Sequence, residues 1–178
     1  LLDIKRFRES GLTVIIYAGA HGPPNSLNQL IDAALIVEKR GNCRVIFLLV
    51  GKGEDKAPLK ARVDALGLQH LIKFYDQLPK QVVQRCLAEA DIGFIAWNDS
   101  PIYRFGISPN KIFDYLLAGL PVIHVTACPY DPISLSNAGI STLPDQPEAL
   151  VAAIEKMHKM PKRERIEMGS AGRAWVLE

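Results

Sequence analysis

Two stretches of this sequence are apolar at almost every position rather than at every second one: Leu12–Ala18 (LTVIIYA) and Arg44–Val50 (RVIFLLV). A strand with one wet face alternates, so these runs need cover on both faces. In a water-soluble chain that means a parallel sheet with helices on each side. Shorter runs at Ile72–Tyr75, Ile92–Ala96 and Pro121–Val125 are predicted as further strands. The segments between them have helical spacing. Leu27, Leu30, Ile31, Ala34 and Leu35 mark one helix, capped by Asn25 or Ser26 and stopped by Gly41. Leu59, Val63 and Leu66 mark the next, closed by Gly67. Val83, Cys86, Leu87 and Ala90 follow Pro79 in a third. Lys111–Ala118 ends at Gly119, and Leu150, Ile154 and Met157 form a helix capped near Asp145. A last basic helical segment starts near Lys162. Strand–helix alternation of this kind predicts a doubly wound α/β fold with right-handed crossovers. At about 150 residues per domain, 178 residues make one domain, with residues 162–178 as a helical tail.

Composition removes several classes of function. Hydrophobic residues are 48% and charged residues 22%, so disorder is excluded. A net charge of +2 offers no concentrated basic face, and no nucleic-acid partner is expected. Cys43, Cys86 and Cys128 stand far apart, which suits neither a disulfide framework nor a zinc cluster and fits a reducing compartment. The run Val45–Val50 is far short of the roughly 20 residues of a membrane helix. The opening LLDIKRFRES is charged and lacks a signal peptide's apolar region. It begins with Leu, so a piece of a longer protein is expected.

In a doubly wound sheet, ligands bind beyond the carboxyl ends of the strands. Those ends are AGAHGPPN, VGKGEDK, YDQLP, WNDSPIYRFGISPNK and HVTACPY. Ser108 and Pro109 read as cap and first turn of a helix whose next residues are Asn110 and Lys111. Its free amides and dipole suit a phosphate, and Lys111 adds a full charge. Asp114, one turn on, could accept bonds from two ribose hydroxyls. The competing reading is a capped helix with one Lys111–Asp114 ion pair. Gly51-Lys52-Gly53 starts like a dinucleotide loop, but Lys56 replaces the third glycine, so it reads as a tight turn passing close to a ligand; no P-loop is present. Gly19, His21 and Gly22 follow the first strand. Glycines there permit close approach, and His21 is either solvated or a donor to developing negative charge. His124 reads as a core residue, His70 and His158 as surface residues. Asp91, Asp99 and Asp131 show no acid/base pairing, and Asp131-Pro132 reads as a turn or helix start. No nucleophile elbow, metalloprotease motif or metal site is visible. The run KMHKMPKRER (Lys156–Arg165) reads as a solvated helix face, with membrane-surface or partner docking as the second reading.

The run GISPNKIFDYLLAGLPVI resembles the nucleotide-sugar site of retaining GT-B glycosyltransferases, and is most similar to glycosyltransferase family 4 in the branch that builds bacterial lipopolysaccharide, O-antigen and capsule. YAGAHGPPNSLNQLIDAA, FLLVGKGEDKAPLK, IKFYDQLPKQVV and ADIGFIAW fall in the family's order, so the resemblance covers about residues 12–160. It implies that residues 1–178 are one Rossmann-like nucleotide-sugar-binding domain, the C-terminal half of a two-domain enzyme whose N-terminal acceptor domain is missing. Of the family's two glutamates seven residues apart, the second corresponds to Asp114, implied to bind the ribose. The first, which touches the donor sugar, falls on Gly106. The backbone around Ser108, Asn110 and Lys111 is implied to hold the diphosphate. The family's Arg and Lys after the first strand fall near Ala20 and Asn25, neither basic. His21, Lys52, Arg104 or Lys111 could replace that charge, with Lys111 and Arg104 favoured; His21 and Arg104 are the candidate charge stabilisers in catalysis. The base is implied to lie against Phe74–Asp76, hence Tyr75 and Asp76.

The resemblance implies transfer of a sugar from a nucleotide diphosphate sugar to a glycan or lipid-linked acceptor hydroxyl, with retention. No cofactor or metal is required. The place implied is the cytoplasm, with peripheral contact at the inner face of the membrane. Alternatives are a nucleotide-sugar epimerase of the same architecture, a non-catalytic nucleotide-binding domain, and a Rossmann oxidoreductase, which the broken glycine motif disfavours.

Overall fold

The computed structural model describes residues 3–105 and 110–178. In chain order they form α1 (Ile4–Glu9), β1 (Thr13–Ala18), α2 (Asn28–Arg40), β2 (Val45–Val50), α3 (Lys56–Ala65), β3 (Ile72–Tyr75), α4 (Lys80–Glu89), β4 (Ile92–Ala96), α5 (Asn110–Leu117), β5 (Val122–Val125), α6 (Pro132–Leu135), β6 (Gly139–Thr142), α7 (Pro147–Lys159) and α8 (Lys162–Leu177). The strands lie in the order β3-β2-β1-β4-β5-β6, and each neighbouring pair is parallel. Every residue of β1 and β2 is buried, as runs without alternation require. Ile15, Tyr17, Phe47 and Leu49 face α2, α3 and α7. Val14, Ile16, Ile46 and Leu48 face α1, α4 and α5.

The order reverses between β1 and β4, where two parallel strands part and leave a crevice. Their register covers only Ile15↔Ile92 and Ile16↔Gly93. Beyond it the Ala18 N–H has no strand partner and donates instead to the Tyr115 hydroxyl of α5, at 2.7 Å. Gly93 makes room for that ring: a Cβ there would sit 2.5 Å from Tyr115 Cδ2. The sheet opening and the helix that carries Lys111 and Asp114 are thus locked together.

Several local expectations change. Neither Asn25 nor Ser26 caps α2. Residues Pro23–Asn25 wind a 3₁₀ turn, α2 starts at Asn28, and Asn25 is buried with its side chain turned to Lys111. The first ten residues, where no element is expected, contain α1, pinned by Ile4 at 1% exposure. The sheet also gains β6, an edge strand of sequence GIST that is only partly buried and so has no apolar run to announce it. The Asp131-Pro132 step starts α6, with the Asp131 carboxylate accepting from Ile133 N–H at 3.0 Å. The basic run Lys156–Arg165 is split at Pro161 between α7 and α8. Arg165 turns inward and donates to the carbonyls of Met157, His158 and Met160, closing the end of α7. His158 is half-buried against Thr13 Oγ1 at 2.9 Å rather than on the surface. Among the described residues no helix is long and apolar enough to cross a membrane.

Candidate functional site

A cavity of about 580 Å³ opens over the carboxyl ends of β1 and β2, against the start of α4. Its wall includes Gly19, Ala20, Lys52, Gln77, Leu78 and Lys80. The first two loops continue the sheet's pairing past the strands. Gly19 N–H donates to Val50 O at 2.9 Å, His21 N–H to Lys52 O at 2.8 Å and Asp55 N–H to His21 O at 3.0 Å. Gly51 and Gly53 make this possible. A Cβ on Gly51 would lie 1.9 Å from Gly19 O, and one on Gly53 2.1 Å from His21 O. The close approach read from Gly51-Lys52-Gly53 is therefore to the chain's own first loop.

Three basic groups meet behind this rim. The Lys56 ammonium donates to Gly51 O and Tyr75 O, both at 2.8 Å, and to the exposed Asp76 carboxylate at 2.7 Å. It ties the second and third loops together; sequence reading noticed it only as the residue that breaks a glycine motif. Lys111 reaches back from α5 to the end of β1. Its ammonium donates to Tyr17 OH at 3.1 Å and to Asn25 Oδ1, and lies 4.9 Å from the ring centres of both Tyr17 and Trp97. It makes no ion pair among the described residues. Burial lowers it to about 8. A Cβ on Gly19 would be 3.2 Å from this nitrogen, so the cation stands directly over the first loop. His21 is fully buried, not solvated. Its ring lies between those of Tyr17 and Phe74, at 5.8 and 6.1 Å, and neither ring nitrogen has a partner among the described residues. Burial first, and then the charges of Lys56 and Lys111, lower it to about 4. It is a neutral imidazole at pH 7.

The other expected residues scatter more. Lys52 is exposed on the cavity wall, and Gly22 leads into the 3₁₀ turn. Tyr75 packs on the α1/α4 side, and its carbonyl also accepts from Gly51 N–H at 3.2 Å. Gln77 and Leu78, just after it, are the ones that border the cavity. Asn110 is exposed at the start of α5. Asp114 is half-buried and pairs with Lys80 at 3.5 Å. The one-turn ion pair with Lys111 is therefore not made, because Lys111 points to β1 and Asp114 to α4. Gly106, Ser108 and the Arg104 side chain lie outside the described residues.

The candidate acids are accounted for structurally. Asp91 accepts from Val14 N–H at 3.0 Å and faces Arg8 at 3.4 Å. Asp99 is exposed. Asp131 meets His124 Nδ1 at 2.8 Å, and His124 Nε2 accepts from the Trp97 indole at 3.0 Å. Burial alone would raise Asp131, but the bonds from His124, Ser141 and Ser134 hold it well below the usual carboxylate range. No sequence spacing announces this triplet, since Trp97, His124 and Asp131 come from three separate segments.

The family model for glycosyl transferases group 1 matches residues 13–160. The chain belongs to that family. Solved structures agree with the fold at low identity. WaaG, a glycosyltransferase involved in lipopolysaccharide biosynthesis, is 16% identical with a TM-score of 0.74, the match covering 98% of this chain and 46% of that one. The C-terminal domain of the group 1 glycosyl transferase LpcC from Francisella tularensis is 14% identical with a TM-score of 0.72, over 97% and 90%. S. aureus TarM, in complex with fondaparinux, alpha-GlcNAc-glycerol and UDP, is 15% identical with a TM-score of 0.77, over 93% and 32%. No curated protein matches the chain in sequence. The chain thus spans under half the length of WaaG and TarM and nearly all of a C-terminal domain, and it has the Rossmann-like architecture of the C-terminal domain of retaining GT-B glycosyltransferases.

Proposed function

We propose that this chain is the donor-binding half of a retaining glycosyltransferase that moves a sugar from a nucleotide diphosphate sugar to an acceptor hydroxyl. The acceptor, a glycan or a lipid-linked saccharide of bacterial surface polysaccharide or lipopolysaccharide synthesis, is held by a second domain. The observation that carries this reading is the unpaired Lys111 ammonium standing over Gly19 at the cavity rim. It touches Asn25, the position at which the family's first-loop lysine is missing. One basic residue carried by α5 then does the work of one carried by the first loop.

In this reading the nucleoside sits in the cavity between Gly19, Lys52 and Gln77–Leu78. Its ribose exchanges with Lys80 for the Asp114 carboxylate. The diphosphate meets Lys111, helped by the backbone around Ser108 and Asn110 and by Arg104. As the sugar–phosphate bond breaks, negative charge grows on the leaving diphosphate. Lys111, already held in place by Tyr17 and Asn25, stabilises that charge without reorganising. Gly106 offers no carboxylate to the sugar, so recognition of the sugar's hydroxyls falls to other groups. His21, buried and neutral, acts on the shape of the first loop and not on the diphosphate.

Titration calorimetry with UDP, GDP and their sugars tests the assignment. Binding of one nucleotide is expected, and Asp114→Ala is expected to weaken it about tenfold, the loss of charge-assisted bonds to ribose hydroxyls. No heat with any nucleotide, or unchanged affinity in Asp114→Ala, overturns the donor site or the ribose assignment respectively.

A further inference from the structure

Trp97 follows β4 on the rim, and its backbone is pinned on both sides. Its N–H donates to Val125 O at 3.0 Å, and its carbonyl accepts from Gln29 Nε2 at 3.2 Å. The remaining freedom is the turn of the indole, and a buried polar chain takes it away. An indole N–H can only donate, so His124 Nε2, 3.0 Å away, carries no proton. The His124 hydrogen is then on Nδ1 and donates to Asp131 Oδ1 at 2.8 Å. Asp131 is fixed in turn by Ile133 N–H at 3.0 Å, Ser134 Oγ at 2.7 Å and Ser141 Oγ. Trp97 is 8% exposed, His124 1% and Asp131 7%, so the chain is buried from the indole to the carboxylate and reaches the surface at Ser134. A fully satisfied polar chain in a core specifies one orientation of what it holds. What it holds is the aromatic face on which the Lys111 ammonium rests, 4.9 Å from the ring centre, with Tyr103 edge-on to the same indole at 5.7 Å.

We propose that Trp97, His124 and Asp131 are positioning residues for Lys111: the relay fixes the indole plane, and the plane fixes the ammonium over Gly19, where an anionic group of a bound ligand meets it. The identity of that ligand rests on the nucleotide-sugar reading; the hold on Lys111 does not. Among the described residues, the titratable and charged groups facing the ammonium are Tyr17 from β1, His21 from the first loop with Lys56 behind it, Tyr103 beyond the indole, and Asp131 behind His124. Tyr17, kept protonated by burial, and neutral His21 bring no negative charge. The burial that the packed rings impose on the ammonium is what lowers it.

The test follows the Lys111 Cε resonance against pH in chain carrying ¹³C-lysine, beside UDP calorimetry, in wild type, Trp97→Phe, His124→Leu and His124→Gln. Glutamine keeps an acceptor for the indole; leucine does not. With the seat loosened and water admitted, Lys111 in His124→Leu and Trp97→Phe is expected to titrate higher, toward an exposed lysine. UDP affinity is expected to fall about fivefold, the scale of one cation–π contact, with His124→Gln near wild type. Trp97→Phe keeps a ring in place and carries the test if His124→Leu does not fold. An unchanged Lys111 titration and unchanged UDP affinity in Trp97→Phe overturn the proposal, whatever happens to the melting temperature. A shifted titration in a chain that binds no nucleotide removes the donor assignment and leaves the relay's hold on Lys111 standing.

Discussion

Lys111 is a half-buried base and His21 a fully buried one, and they stand in opposite situations. Lys111 has partners and an aromatic seat; His21 has neither acceptor nor donor among the described residues. Lowering a lysine from 10.5 to about 8 costs about 3 kcal/mol at pH 7. Replacing it by methionine removes that cost but leaves the buried Asn25 carboxamide without its donor, a loss of about 1–3 kcal/mol. The two nearly cancel. Lys111→Met is therefore expected to keep the folding stability within about 2 kcal/mol of wild type while weakening nucleotide binding tenfold or more, about the strength of a charge-assisted bond, as seen by denaturation and calorimetry on one sample. His21 gives a pH signature. Its folded value, about 4, lies below the unfolded 6.5, so between those values the unfolded chain binds the extra proton. Stability is whole above pH 6.5 and falls by about 3 kcal/mol as pH drops to 4. His21→Phe, which cannot take that proton, is expected to flatten the loss in this window. Asp131, held low, titrates out below this window, whereas His158, also lowered by burial, costs stability within it, so the signature of His21 is the difference between wild type and His21→Phe. A wild-type acid profile that His21→Phe reproduces unchanged argues against a buried neutral ring.

At the scale of elements, the loops are set by backbone contacts as much as by side chains. Gly53 is at φ 155° with His21 O where its Cβ would be. Gly53→Ala is expected to cost about 2 kcal/mol or more, strain that backbone cannot relieve. That corresponds to a melting temperature lower by about 5 °C or more. Melting within a degree of wild type refutes the loop-to-loop contact. The same scale shows what was legible. β1 and β2, buried on both faces, stand out in the sequence because their apolar runs have no alternative place to go. β6, at the sheet's edge with Ser141 and Thr142 in it, carries no such mark, and α1 is too short for its period to show. The Asn25 cap was plausible by local chemistry and lost to a tertiary competitor, the Lys111 ammonium.

At the scale of the molecule, the cavity over the ends of β1 and β2 is open to solvent, and in the proposed reading a second domain closes over it. Chemistry that must exclude water needs that closure. The chain alone is expected to bind nucleotide weakly and to transfer no sugar, checked by incubating it with a UDP- or GDP-sugar and following free sugar and glycosylated acceptor. Turnover by this chain alone would mean that the second half is not needed for chemistry. The sequence by itself determined the layered architecture, the strand ends over which the cavity opens, and the presence of Lys111 and Asp114 one helical turn apart. These follow from periodicity and covalent order, which are local. Only the tertiary structure decided that the two side chains part company, one to Tyr17, Asn25 and Trp97, the other to Lys80. It also decided that His21 is dry and that Trp97, His124 and Asp131 meet. Those outcomes depend on contacts between residues far apart in the chain, and no local pattern records which distant partner wins a buried charge or hydrogen bond.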